Sequence, residues 1–163
     1  MRRYIEADLF EQPGVIVVPT NTGKVHGAGL AKMARNAGVI NDPARVFQLD
    51  VKAHWSDPAD VEMIRTGLNR LVMEVTSNPL TRYSIPLVGI GHGEGDPEMI
   101  VPLIARAQAW CETRGGDLMI VLPTGAALAR TLAHARGRAR TDNTASILPR
   151  VVEILDAADS PEP

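Results

Sequence analysis

Residues 14–38, GVIVVPTNTGKVHGAGLAKMARNAG, constrain this chain more than any other stretch. Val15, Ile16, Val17 and Val18 form a β-branched run with glycine before and proline after, the pattern of a strand buried on both faces. Pro19 to Gly27 carries Thr, Asn and Gly where a strand should end and predicts a turn. Leu30, Met33, Ala34 and Ala37 then recur at i, i+3, i+4 and i+7 and predict one apolar helix face, with Gly38 as its C-terminal cap. Strand, glycine-bearing loop and helix N-terminus follow in that order. Free backbone N–H groups and the positive end of the helix dipole suit such a junction to an anion, above all phosphate. The plain alternative is a loop that only turns the chain. The spacing fits neither G-x-x-x-x-G-K-[ST] nor G-x-G-x-x-G, so a Walker loop and a dinucleotide fingerprint both fail.

The pattern returns along the sequence. Tyr4 to Phe10 reads as a strand ending near Asp8 and Leu9, and Val46 to Val51 as another. Asp57 is the expected N-cap of a helix with Pro58 at its first position and Val61, Ile64, Leu68, Leu71, Val72 and Val75 on its buried face. Tyr83 to Val88 is the next strand, and Pro86 within it argues for an edge position or a local irregularity. A second glycine loop follows, Gly89-Ile90-Gly91-His92-Gly93-Glu94-Gly95. It leads into a helix with Ile100, Leu103, Ile104, Ala107 and Cys111 on one face. Pro102 is expected in that helix's first turn, which places the start near Glu98 or Met99. Asp117 to Pro123 predicts a strand, residues 125–135 and 147–155 two helices. Alternating strands and helices favour a mainly parallel sheet covered on both faces, with ligands beyond the carboxyl ends of the strands. Both glycine loops follow strands and should open on the same edge, where together they suit a diphosphate.

At 163 residues one domain is expected, over residues 1–157, with 158–163 as a frayed tail. A net charge of −2 gives no global pull toward nucleic acid or membrane. Cys111 is the only cysteine, so neither an intrachain disulfide nor a cysteine metal cluster is expected. The start MRRYIEADLF lacks the apolar core of a signal peptide, and no apolar run approaches the ~20 residues that span a bilayer. The expectation is a cytoplasmic protein with no membrane partner.

Four motifs in order resemble the macro domain family of ADP-ribose-binding modules. Tyr4-Ile5-Glu6-Ala7-Asp8-Leu9-Phe10 resembles the family's opening strand and its Gly-Asp-Ile/Leu motif, with Ala7 in place of Gly. Val15 to Asn21 resembles the strand that ends in Asn. His26-Gly27-Ala28-Gly29-Leu30-Ala31 resembles the first phosphate loop, and Ile85-Pro86-Leu87-Val88-Gly89-Ile90-Gly91 the next strand and second loop. Asp8-Leu9-Phe10 and Gly27-Ala28-Gly29-Leu30-Ala31 are most similar to the branch of terminal ADP-ribose protein glycohydrolase. The resemblance implies a three-layer α/β/α fold with a mixed, mostly parallel central sheet.

It also implies that Asp8 and Leu9 meet the adenine, the Asp8 carboxylate accepting from its amino group, and that Asn21 bonds the distal ribose. Backbone N–H groups of Gly27, Ala28, Gly29, Leu30 and Ala31, and of Gly89, Ile90, Gly91, His92 and Gly93, would cradle the diphosphate. Such amides leave no need for a metal or other cofactor. In the branch a lysine after a central strand attacks the distal ribose and an aspartate in the second loop assists. Lys52, in Leu49-Asp50-Val51-Lys52, matches the lysine. Gly93 stands at the aspartate position with Glu94 next to it, which is a departure.

The function so implied is removal of ADP-ribose from a modified protein, nucleic acid or small derivative. Attack would come from Lys52, or from a water held near Asn21, His92 and Glu94. The alternatives are a non-catalytic ADP-ribose reader, a phosphatase of ADP-ribose 1″-phosphate, and a nucleic-acid module acting through residues 130–150, which carry five arginines and one acid. Each residue also has a plainer reading. Asp8 and Asn21 suit turns, Lys52, His26 and His92 suit solvent, and Asp96 suits a helix cap. Residues 130–150 read as a solvated helix and loop. Trp55, Tyr83 and Trp110 read as core or surface packing residues rather than stacking platforms. His54 and His134 are assigned no role.

Overall fold

A computed structural model of the chain describes residues 4–24, 29–90, 95–133 and 144–158. Its strands are β1 (Tyr4–Ala7), β2 (Val15–Asn21), β3 (Val46–Lys52), β4 (Arg82–Ile85) and β5 (Asp117–Pro123). Its helices are α1 (Gly29–Asn36), α2 (Val61–Ser77), α3 (Pro97–Thr113), α4 (Gly125–Ala133) and α5 (Thr144–Ala158). The strands form one sheet in the order β1-β5-β4-β2-β3, and every described pairing is parallel. The mostly parallel sheet is therefore present. The antiparallel component of a mixed sheet is not among the described residues.

Side-chain alternation divides the core into two layers. Val15 and Val17 of β2, Phe47, Leu49 and Val51 of β3, and Leu118, Ile120 and Leu122 of β5 face α2, α3 and α5. Ile16, Val18, Val46 and Val121 face the other way, toward Leu9 and α1, and α4 packs on α1 and β5. Right-handed crossovers account for this division. The steps β1 to β2 and β2 to β3 run one way along the sheet, so Leu9 and α1 share a face. The steps β3 to β4 and β4 to β5 run the other way, so α2 and α3 share the opposite one.

Several boundaries differ from the sequence reading. β1 stops at Ala7, and Leu9–Glu11 is a short 3-10 helix capped by the Asp8 carboxylate, which accepts from Phe10 N–H. Pro19, Thr20 and Asn21, expected in a turn, continue β2. Ile16 N–H donates to Arg45 O on the β3 side, so alternation turns the position of Pro19's missing donor toward β4. Pairing with β4 includes only Val15 and Ile16, so no ladder bond is lost. β4 lies inside the sheet, not at an edge, and ends at Ile85 before Pro86.

Asp60, not Asp57, caps α2 and accepts from the N–H groups of Glu62 and Met63. Asp60 N–H is itself held on Val51 O at 2.7 Å, which ties residue 60 to the end of β3 and delays the helix. α3 begins at Pro97, so Pro102 lies beyond its first turn. Pro102 and Glu98, whose carbonyl loses a partner, are both exposed, so water can replace that bond. On α1 the buried side chains are Ala31 and Ala34, while Leu30 and Met33 are half-buried and Ala37 is exposed. Gly38 does end α1: its N–H bonds Arg35 O, and Val39 N–H reaches back to Ala34 O.

Candidate ligand cleft at the carboxyl edge of the sheet

Because the sheet is parallel, Asn21 and Lys52, the last residues of β2 and β3, and Asp8, Pro86 and Thr124, which follow β1, β4 and β5, all stand on one edge. From β2 the chain moves out to β3, and from β4 it moves out the other way to β5. The β2/β4 boundary is therefore a topological switch point, where parallel sheets bind ligands. Here the sheet also splits, since β2 pairs with β3 as far as Asn21 but with β4 only through Ile16. The two glycine loops leave the two strands that flank this split. From β1 to β2 is three strand spacings, roughly 14 Å at about 4.8 Å each. That length suits an elongated ligand more than a single phosphate.

At one end of the edge stands Asp8. One carboxylate oxygen accepts from Phe10 N–H at 2.9 Å and the other pairs with the Arg130 guanidinium of α4. Leu9 is buried in the core, which leaves its backbone for a ligand. The plain reading of Asp8 as a cap is thus realised, and it does not consume the carboxylate, because each oxygen has a further lone pair.

At the other end, Asn21 is buried and pairs in register with Lys52, next to a bulge where Thr20 stands opposite Asp50. Thr22 N–H donates to Lys52 O and Gly23 N–H to Ala53 O, so the start of the first loop is laced to the end of β3. Lys52 is half-buried. Asp50 is engaged by Thr20 Oγ1 at 2.6 Å and by Lys24 Nζ at 2.9 Å. Lys24 is the one described non-glycine residue with positive φ, at +56°, and its backbone N–H closes a turn on Asn21 O.

The two helix N-termini differ. The first turn of α1, with Gly29 and Ala31 buried, contains no acid. That of α3 is capped by Asp96, whose carboxylate takes Glu98 N–H and whose carbonyl takes the Met99 and Ile100 N–H groups. The plain reading of Asp96 holds, and an anion finds the better seat at α1. The second loop is pinched at its base, where Gly95 N–H donates to Gly89 O at 2.8 Å. Ile90 is buried and offers only its backbone. His26, Gly27 and Ala28 of the first loop, Gly91, His92, Gly93 and Glu94 of the second, and His134 lie outside the described residues.

Arg130, Lys24 and the loop after Lys52 are the features that sequence reasoning missed. Arg130 and Asp8 are 122 positions apart, and no periodicity links them. Arg150 of the same basic segment is likewise paired, with Glu98 and Glu153, while Arg136, Arg138 and Arg140 lie outside the described residues. His54, assigned no role, organises the loop after β3, and Trp55, expected to pack, is 58% exposed. Tyr83 is core as expected, and Trp110 is a surface residue beside the Arg106 and Arg114 guanidiniums. Among the described residues no cluster of His, Cys, Asp or Glu is arranged to hold a metal ion. No described helix is long and apolar enough to cross a membrane.

With a split parallel sheet, Asp8 and Asn21 on its carboxyl edge and a glycine loop leaving each strand beside the split, this chain has the macrodomain fold. It is similar to the macrodomain of Thermus aquaticus DarG (TM-score 0.59, 23% identity, 76% of this chain and 98% of that one). The macrodomain of Mycobacterium tuberculosis DarG is also similar (TM-score 0.61, 20% identity, 76% and 99%). So is Thermosipho africanus DarTG in complex with ADP-ribose (TM-score 0.58, 18% identity, 72% and 40%). Among curated proteins, the DNA ADP-ribosyl glycohydrolase of Thermus aquaticus is 25% identical over 121 residues, covering 57% of this chain and 34% of that protein. The chain therefore corresponds to about a third of the length of that relative. No family model matches the sequence.

Proposed function

We propose that this macrodomain binds ADP-ribose along the carboxyl edge of its sheet and removes it from an ADP-ribosylated nucleic acid. The observation that carries the proposal is the split at the β2/β4 switch point, with Asn21 and Lys52 side by side at its far end. The name of the Thermus aquaticus relative supports DNA as the carrier. Asp8 receives the adenine amino group. Backbone N–H groups of Gly27, Ala28, Gly29, Leu30 and Ala31, with those of Gly89, Ile90, Gly91, His92 and Gly93, receive the diphosphate. Asn21 meets the distal ribose, since a primary amide both donates to and accepts from sugar hydroxyls.

In the reaction the bond from the anomeric carbon to the carrier breaks, and its electron pair leaves with the carrier atom, which then takes a proton. The new bond forms to a water oxygen, which gives up a proton, or to Lys52 Nζ, which does the same. In the second case a water then adds at that carbon, the carbon–nitrogen bond breaks and its electron pair returns to the lysine. His92 and Glu94 are candidates to hold the water. A lysine attacks only as the neutral amine. If Lys52 is the nucleophile, reduction with cyanoborohydride during turnover traps ADP-ribose on wild type and not on Lys52→Ala. A second reading, a non-catalytic reader, is favoured by Gly93 standing where the resemblance calls for an assisting aspartate.

Calorimetric titration with ADP-ribose, with AMP and NAD as controls, tests the cleft on wild type and Asn21→Ala. The expected result is a Kd in the micromolar range, about −8 kcal/mol, weakened by the substitution. Absence of heat and of any thermal shift with ADP-ribose overturns the proposal. Release of ADP-ribose from a modified oligonucleotide separates the hydrolase from the reader.

A further inference from the structure

We infer that Trp55 is a stacking platform for a nucleobase of a single-stranded substrate, set just beyond the distal end of the cleft. The inference rests on the function proposed above and deepens it. Trp55 follows Lys52 by three residues, so their Cα atoms are at most about 10 Å apart. Among the described residues β3 is at the edge of the sheet. An ADP-ribose lying from Asp8 to Asn21 directs its anomeric carbon toward that edge, and the group attached there emerges beside the loop after β3.

That loop is built to hold its shape. His54 N–H donates to Asp57 Oδ2 at 3.2 Å and Asp57 N–H to His54 O at 3.0 Å. His54 Nδ1 lies 2.6 Å from Ser56 Oγ and accepts from Ser56 N–H at 3.2 Å. Asp60 N–H closes the segment on Val51 O. The indole held on this frame is 58% exposed, and the His54 ring stands 5.4 Å from it at 36°, widening the aromatic surface.

The other exposed large apolar side chains lack this placement. Met73 and Leu80 lie at and beyond the far end of α2, and Trp110 in the last turns of α3, all toward the amino edge of the sheet. Met99, at the start of α3, has no aromatic face. Trp55 is the exposed aromatic at the carboxyl edge among the described residues. A flat indole complements a flat heterocycle, whichever base it is, whereas a peptide presents such a face only where it carries an aromatic or guanidinium side chain.

Trp55→Ala is expected to leave binding of free ADP-ribose unchanged in calorimetry. It should lower kcat/KM for release of ADP-ribose from a modified single-stranded oligonucleotide about tenfold, mostly through KM, with Trp55→Phe retaining most of the activity. In a Trp110→Phe background Trp55 is the sole indole, and its emission should be quenched by an unmodified single-stranded oligonucleotide. Wild-type kinetics on the oligonucleotide in Trp55→Ala overturns the inference. So does a defect confined to an ADP-ribosylated peptide, which makes the platform one for protein, or an equal loss of free ADP-ribose binding, which makes Trp55 structural. A wild type that does not bind ADP-ribose brings down the underlying function as well, a result separate from these three.

Discussion

Asp8 offers about four lone-pair sites, and the fold engages two of them, on Phe10 N–H and on Arg130. If the adenine amino group uses the oxygen that faces Arg130, it shares that oxygen with the guanidinium. Asp8→Asn tests this sharply. The single amide oxygen stays on Phe10 N–H, so the cap survives, and the NH2 group then faces two donors, the guanidinium and the adenine amine. The expected outcome is a near-native melting temperature with ADP-ribose affinity reduced about tenfold, since hydrogen bonds to charged groups are worth ~1.5–3 kcal/mol. Calorimetry on both forms checks it, and unchanged affinity removes Asp8 from the site. Arg130 is half exposed, so Arg130→Ala should change stability by under ~1 kcal/mol in urea titration. Asp8 was legible because a strand end followed by an acid is a local signal. Arg130 was not, because only the packing of α4 brings it to Asp8. Asn21 and Lys52 were each legible as candidates, but their pairing depends on a register that no local pattern encodes.

At the level of elements, period-2 and period-3.6 patterning located the five strands and the helices, and strand ends were read least well. Pro19 and Pro86 were weighed as breakers without knowledge of which side each missing N–H would face. Asp57 is a sound cap by composition, and Asp60 displaces it only because Asp60 N–H is held by Val51 O. The sequence suggests a phosphate cradle in the second glycine loop; what the described residues show at its base is a packing device. A Cβ on Gly95 would lie 2.3 Å from Gly89 O and 2.3 Å from Ile100 Cδ1. Gly89 itself has φ +75° and sits against Ile64. Ile100 can rotate away, but the Gly89 backbone cannot without opening the loop. Gly95→Ala should therefore destabilise the protein by about 1–3 kcal/mol, the usual cost of overpacking, and weaken ADP-ribose binding along with it. Urea denaturation followed by calorimetry of the folded variant checks both. A stable variant that binds normally means the loop base tolerates spreading and does not set the cleft.

The whole molecule adds what no segment carries, the strand order β1-β5-β4-β2-β3. Alternation predicts parallel strands but not which two flank the switch point, and the cleft's position follows from that order. The same three-layer arrangement buries the inner face of α3 as far as its last turn, and Cys111 there reports on the seal. Its side chain has no exposed surface, and burial, outweighing the Arg114 charge, pushes its thiol up from 9.0 to about 11. In the folded protein the neutral thiol is favoured, so Cys111 should resist thiol reagents at neutral pH, and its labelling rate should report opening of the α3 layer. The linkage has a definite sign. The contribution is fully present below pH ~9, where neither state ionises, and is lost as pH rises from about 9 to about 11, because the unfolded chain releases the proton first. The loss is on the order of 3 kcal/mol at most. Tyr83, pushed up to about 12 mainly by burial, acts in the same direction, so wild type alone does not isolate the thiol. Cys111→Ala does, since it keeps Tyr83 and removes the titration. It should be less stable than wild type at pH 7 by about 1 kcal/mol for the lost packing. That gap should close and then reverse in urea titrations as pH rises through the window. A gap constant with pH means the thiol ionises as easily folded as unfolded, and the α3 layer is then open to water on the timescale of the measurement.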